Sequence, residues 1–221
     1  MVILLFGPPG CGKGTQASSI SRLLGIPAIS TGEMFRAERA AGTALGEKVS
    51  GILAQGGLVG DEIVNEVVAS RLGKADCRGG FLLDGYPRTI AQAEYLDELL
   101  KTLGCPAPAI LHLDVPDAAL VSRLTARRQC PACGRIYNLL HQPPRTEGIC
   151  DEDGKPLVHR VDDNEEVIRM RLAAYHEQTG PLLKYYSSGD FHRIEGDRPP
   201  REVLGSIEAI LEPAHATGSR K

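Results

Sequence analysis

The sequence predicts an α/β fold, a parallel sheet flanked by helices, on two observations. Short apolar runs alternate with longer amphipathic ones, the pattern of strands joined by crossover helices. A glycine-rich segment also follows the first apolar run directly and opens a helical pattern. At 221 residues the chain is long enough for one good core with small appended lobes.

Candidate strands cover 2–6, 80–84, 108–114 and 190–195, with a weaker one near 27–30. Helical patterns cover roughly 13–24, 31–41, 61–72, 89–103, 117–128, 164–186 and 200–211. The helix near 164 carries a start signal, Asp163 as cap with Glu166 three residues on. Two stretches break the rhythm. Residues 30–59 hold helical patterns and the turn-rich Gln55-Gly56-Gly57 without a convincing strand. Residues 129–162 hold cysteines, Pro143-Pro144 and little periodicity, and read as an inserted lobe stapled by something other than a hydrophobic core. The tail from Glu212 to Lys221 reads as disordered, and there is no internal repeat.

Composition excludes several classes. Hydrophobic residues at 42% and charged residues at 24% are ordinary for a globular protein, and with 5% aromatics and no Trp the core must be aliphatic. A formal charge of −3 argues against bulk binding to nucleic acid, which leaves a basic footprint. The apolar stretch Val2 to Phe6 has no basic leader and is cut off by Gly7 and two prolines, too short for a signal peptide or membrane span. The expected address is the cytoplasm. In that reducing compartment the clustered Cys130, Cys133 and Cys150 suggest metal before disulfides.

The strongest chemical signal is Gly7-Pro8-Pro9-Gly10-Cys11-Gly12-Lys13-Gly14-Thr15, between a strand and a helix. Glycines let such a loop turn successive N–H groups inward around phosphate oxygens, the helix N-terminus adds partial positive charge, and Lys13 reaches the β and γ phosphates. The match departs from the common form: Gly14 stands where Ser or Thr usually binds magnesium, and Thr15 comes one residue later. Asp84 ends an apolar strand at its carboxyl end, where open α/β sheets bind ligands, and an acid there suits magnesium held through water. Asp162 and Asp163 are weaker candidates.

This Gly-Lys-Gly-Thr variant, followed by Gln16, resembles the nucleoside monophosphate kinases, and the adenylate kinases among them. Ser30-Thr31-Gly32-Glu33-Met34-Phe35-Arg36 is similar to that family's monophosphate-binding segment. Phe81 through Thr89, with Gln92 following, is similar to its second signature, and Asp162 through Glu166 with Arg169-Met170-Arg171-Leu172 to its third. The resemblance runs from Met1 to about Leu211. It implies a five-stranded parallel P-loop sheet with a core of 1–29, 60–126 and 164–221. It also implies two mobile lobes, 30–59 for the monophosphate and 127–163 closing over the triphosphate.

By the same resemblance, ATP is held by Gly10 through Thr15, that is Gly10, Cys11, Gly12, Lys13, Gly14 and Thr15, with Arg123, Arg127, Ile136, Tyr137 and Arg198. AMP falls to Thr31, Arg36, Gly57, Leu58, Val59, Gly85, Tyr86, Pro87, Arg88, Gln92, Arg160 and Arg171. Lys13, Asp84, Arg88, Arg127, Arg160 and Arg171 make the catalytic set. Arginine suits these roles because its planar fork meets phosphate oxygens bidentately and stays charged. Gln92 offers an amide edge to adenine, and Thr89 favours AMP because UMP and CMP kinases tend to carry Asn there. Gly60 departs from the usual Pro or Thr, Tyr86 replaces a common Phe, and His141 stands where Phe is frequent.

Cys130-Pro131-Ala132-Cys133 and Cys150-Asp151-Glu152-Asp153 form two close pairs that suit a tetrahedral zinc closed by a knuckle on each side. Asp153 takes the place of a cysteine, with His141, Asp151 and His159 as rival fourth ligands; metal-binding adenylate kinases show the Cys-Cys-Cys-Asp arrangement. Four protein ligands make the zinc structural. The expected activity is reversible in-line transfer from magnesium-ATP to AMP, giving two ADP, by a monomer that binds neither nucleic acid nor membrane. UMP or CMP as acceptor, or GTP as donor, is the alternative. A zinc-ribbon nucleic-acid module is the rival of another class, and it leaves Gly85-Tyr86-Pro87-Arg88 without a job.

Overall fold

A computed structural model of the chain describes residues 1–55 and 57–216. Five strands form the expected parallel sheet: β1 (Val2–Phe6), β2 (Ala28–Ser30), β3 (Phe81–Asp84), β4 (Ala109–Asp114) and β7 (Asp190–Glu195). Their order is β2-β3-β1-β4-β7, so β1 is central with β3 and β4 beside it. The chain builds one side of the sheet through β2 and β3, then crosses to the other. That reversal leaves a crevice beyond the carboxyl end of β1, where ligands bind in such sheets.

Alternation along the strands splits the core in two. Val2, Leu4 and Phe6 face α2 (Thr31–Ala40), α3 (Ala44–Ala54), α4 (Asp61–Leu72) and α5 (Ile90–Thr102). Ile3 and Leu5 face α1 (Lys13–Leu24), α6 (Asp117–Thr125), α7 (Glu165–Ala174) and α9 (Pro200–Ala216). All five β1 residues are buried, which explains a near-continuous apolar run rather than an alternating one. Each such aliphatic side chain contributes about 1.5–3 kcal/mol on burial.

Beyond Ser30, where β2 ends, α2 and α3 form a helical hairpin, and the described residues of 31–59 include no strand. Ser30 caps α2 by accepting from Glu33 N. Thr43 Oγ1 accepts from Gly46 N and opens α3. A side chain at Gly46 would place its Cβ 2.3 Å from Glu38 O, so glycine lets the two helices meet at their joint. Gly56 of the expected Gln55-Gly56-Gly57 turn lies outside the described residues.

Four expectations need correction. The helix near 117 ends at Thr125, not 128, because Arg127–Gln129 is a strand, β5, paired antiparallel with β6 (Ile136–Asn138). The helix expected over 164–186 is interrupted by a π turn at Tyr175–Thr179 before α8 (Pro181–Tyr185). Pro181 has no N–H to continue a regular ladder, which favours such a widening. The cap of α7 is Asn164, whose side chain accepts from Val167 N, rather than Asp163. The tail is not disordered from Glu212: α9 continues to Ala216, and 217–221 lie outside the described residues. Among the described residues no helix is long and apolar enough to cross a membrane.

Candidate active site and metal cluster

The loop after β1 is held open by glycines in the left-handed region, Gly10 at φ 85° and Gly12 at φ 100°. A Cβ at Gly10 would lie 2.7 Å from Leu124 Cγ, so the loop also needs glycine to lie against α6. No side chain caps α1, which leaves its first N–H groups facing the crevice. Lys13 Nζ donates to the Gly7 and Pro8 carbonyls at 2.6 and 3.0 Å, folded across the loop it follows. Cys11 is buried beneath it, and burial pushes its thiol up.

Above this loop lies a cleft of about 950 Å³. Every residue expected at the triphosphate lines it, from Gly10 through Arg198. So do Arg36, Arg88, Arg160 and Arg171, which local sequence could not place together. Burial depresses all four guanidiniums. Arg88 is brought down to about 10 by burial and by Arg171, and Arg160 to about 9 by burial, Arg127 and Arg36. Arg36 and Arg171 move in the same direction, burial first. All stay cationic at neutral pH, so the cleft is a crowded positive surface whose chemical complement is a polyanion.

Carboxylates hold these arginines in place. Asp163, fully buried, accepts from Arg127 Nε and Nη2 at 2.7 and 2.5 Å and from Arg171 Nη1 at 3.2 Å. Asp162 pairs with Arg171 at 2.9 Å. Burial alone would raise Asp162, but Arg171, Arg127, Arg36 and Arg160 outweigh it and hold its carboxyl below the usual range. These two acids are therefore arginine partners rather than magnesium candidates. Asp84 lines the cleft at the carboxyl end of β3, and its carboxylate makes no hydrogen bond among the described residues. Arg123 donates to Gly196 O and pairs with Asp197 at 2.7 Å, and Arg198 pairs with Glu195.

A second pocket of about 40 Å³ adjoins the first through Gly32, Gly57, Leu58, Gly85 and Arg88, which line both. Thr31, Val59 and Gln92 line it too, so the residues expected around the monophosphate base share one small site. Pro87 lines the main cleft. Tyr86 lines neither: its ring is buried in the core, and its hydroxyl donates to Asn65 Oδ1 at 2.6 Å. His141 is exposed at the rim of the cleft. Sequence reasoning missed Tyr175 and Thr179, which line the cleft from the π turn, and Thr179 donates to Arg88 O at 3.0 Å. No local motif marks either residue.

In the inserted lobe, donor atoms of Cys130, Cys133, Cys150 and Asp153 lie within 4.8 Å of one another. The two turns carrying them are alike. Cys130 N donates to Arg135 O and Gly134 N back to Cys130 O; Cys150 N donates to Lys155 O and Gly154 N back to Cys150 O. Gly134 and Gly154 take matching positive φ of 76° and 67°. Cys133 and Cys150 sulfurs are 3.6 Å apart, against about 3.8 Å for two sulfurs on a tetrahedral zinc. The donor set fits a metal ion. Of the rival fourth ligands, Asp151 accepts from Arg145 N instead, and His141 and His159 are not in the cluster. Tyr137 joins the lobe to the cleft: it lines the cleft, while its buried hydroxyl contacts Cys150 Sγ at 3.5 Å and accepts from Asp151 N at 2.7 Å.

Comparison with known proteins agrees with this geometry. The family model described as adenylate kinase matches residues 5–191. The adenylate kinases of Pseudothermotoga lettingae and Oceanobacillus iheyensis are each 49% identical over 213 residues, covering 96% of this chain and 98% and 99% of theirs. That of Archaeoglobus fulgidus is 46% identical over 213 residues, covering 96% and 98%. With the glycine-rich loop, the arginine cleft and the small adjoining pocket in one crevice, the chain belongs to the adenylate kinase family.

Proposed function

We propose that this chain transfers the terminal phosphoryl group of magnesium-ATP reversibly to AMP, giving two ADP. The observation that carries it is the junction of the two pockets, with Arg88 lining both. A triphosphate against the N-terminus of α1 and a monophosphate based in the small pocket would point their phosphates at each other across Arg88. In-line transfer needs positioning and charge neutralisation rather than a nucleophile on the protein. Lys13, Arg36, Arg127, Arg160 and Arg171 neutralise the gathered phosphates, and Arg88 meets the group in transit. Asp84, unpartnered at the strand end, suits the waters of the magnesium that arrives with ATP and offsets charge on its phosphates.

In this reading 30–59 and 127–163 are lobes that close over the two nucleotides and keep water from the phosphoryl group. Zinc is the ion of the Cys130, Cys133, Cys150 and Asp153 cluster, structural because four protein ligands leave no open position. The enzyme is taken as a cytoplasmic monomer. A coupled assay across AMP, CMP, UMP and GMP, with ATP and GTP as donors, tests the assignment: ATP with AMP should exceed every other pair. A faster pyrimidine acceptor would refute it.

A further inference from the structure

The hydrogen bonds around Gln92 fix which way its amide faces. Gln92 is 2% exposed, sits in the first turn of α5 and lines the small pocket. Its Oε1 accepts from Arg88 N at 2.7 Å, and its Nε2 donates to Asp61 Oδ1 at 2.7 Å. Asp61 Oδ2 in turn accepts from the Thr89 hydroxyl at 2.8 Å, and Thr89 Oγ1 accepts from Gln92 N at 3.2 Å. A carboxylate only accepts and a backbone N–H only donates. Rotating the amide would set its oxygen against the Asp61 carboxylate and its NH2 against the Arg88 N–H. Both partners oppose the flip.

We propose that Asp61 sets base selection in the monophosphate pocket by locking the polarity of the Gln92 amide, which rests on reading that pocket as the monophosphate site. With one contact to Arg88 and one to Asp61, the amide keeps one acceptor lone pair and one N–H donor free, side by side. A 6-amino purine presents an N–H donor next to a ring-nitrogen acceptor, the complement of that edge. A 6-oxo purine presents an acceptor next to an N–H donor, the reverse order, so like would face like. Asp61 touches no substrate in this scheme and is a positioning residue, anchored by Thr89 on its other oxygen.

The test compares AMP with inosine 5′-monophosphate, its 6-oxo analogue, as acceptors for the same preparations. Asp61→Asn keeps the shape but can face the amide with either oxygen or NH2, leaving only the Arg88 N–H against the flip. The ratio of kcat/KM for AMP over the 6-oxo analogue should fall roughly tenfold or more. Asp61→Ser, able to donate or accept, should move the ratio the same way and serves if the first variant folds poorly. Thr89→Ser keeps the hydroxyl and should retain the ratio. Because both acceptors are read on one preparation, loss of folded protein alone cannot shift it. Ratios within about twofold of the unsubstituted enzyme in both Asp61 variants would overturn the proposal while leaving the pocket assignment intact. An unsubstituted enzyme that does not phosphorylate AMP would overturn the pocket assignment and the proposal with it.

Discussion

Arg88 is fixed at both ends of its side chain's reach: Nε donates to Gly85 O at 2.8 Å, while Thr179 holds its carbonyl. In the proposed transfer its guanidinium would meet phosphate with little reorganisation. Arg88→Lys keeps charge but loses the fork, and turnover should fall on the order of a hundredfold, as for loss of one preorganised transition-state contact. Near-normal turnover in steady-state assays would remove Arg88 from the transfer step. Asp162 supports a prediction in pH. Its folded-state carboxyl is depressed, so on acidification the unfolded chain takes up that proton first. Its contribution is complete above the unfolded value of about 3.9 and fades as pH falls through the folded one. Asp162→Asn should melt lower than the parent at neutral pH, with the gap closing under acid; a gap that widened would refute the sign. At this scale the phosphate loop and Arg36, Arg88 and Arg171 were legible because they stand in signature segments, whereas many other residues lining the cleft, among them Ala119, Ser122, Gln142 and Tyr175, carry no such mark. Asp163 was misread because a helix-start pattern, Asp followed by Glu, is local and carries no sign of the buried Arg127 and Arg171. Asp61 went unnoticed for the same reason, its partners lying in another helix's first turn.

The strands and long helices follow from apolar periodicity, and the sheet order lies within the topology those elements allow. Short elements were less legible. β5 and β6 are three residues each, too short to show alternation, and β5 reads Arg-Arg-Gln. The hairpin is closed by the Cys130–Arg135 turn, one of the lobe's two knuckles, rather than by pattern. Its apolar core is only Cys130, Tyr137 and Cys150 with Leu157 against them, too little to offset the chain entropy of the lobe. Zinc in small finger peptides contributes roughly 10–16 kcal/mol, of which only part should appear here because the two main core clusters draw no residue from 127–163. Protein purified without chelator should carry about one zinc per chain by elemental analysis. Cys133→Ser should lower both zinc content and melting temperature, Asp153→Asn should lower them less, and Asp153→Cys should preserve them. Unchanged melting in Cys133→Ser with no bound metal would defeat the structural assignment.

Over the whole molecule, the pockets sit on elements from distant parts of the sequence. The phosphate loop hangs from the central strand β1, the arginines Arg127 and Arg160 from the inserted lobe, and Arg36 from the helical hairpin. A compound joining two adenosines through five phosphates should bridge both pockets and bind far more tightly than AMP, gaining both sets of contacts at one association cost. Calorimetry returning two independent weak events would contradict the adjoining-site geometry. The arginine surplus has a further consequence for how the nucleotides arrive. A chain of net charge −3 that gathers so many cations in one crevice must carry a correspondingly more acidic exterior. A compact polyanion that reaches the mouth enters a field focused between low-dielectric walls. Encounter, rather than the chemical step, is then the stage that added salt should slow.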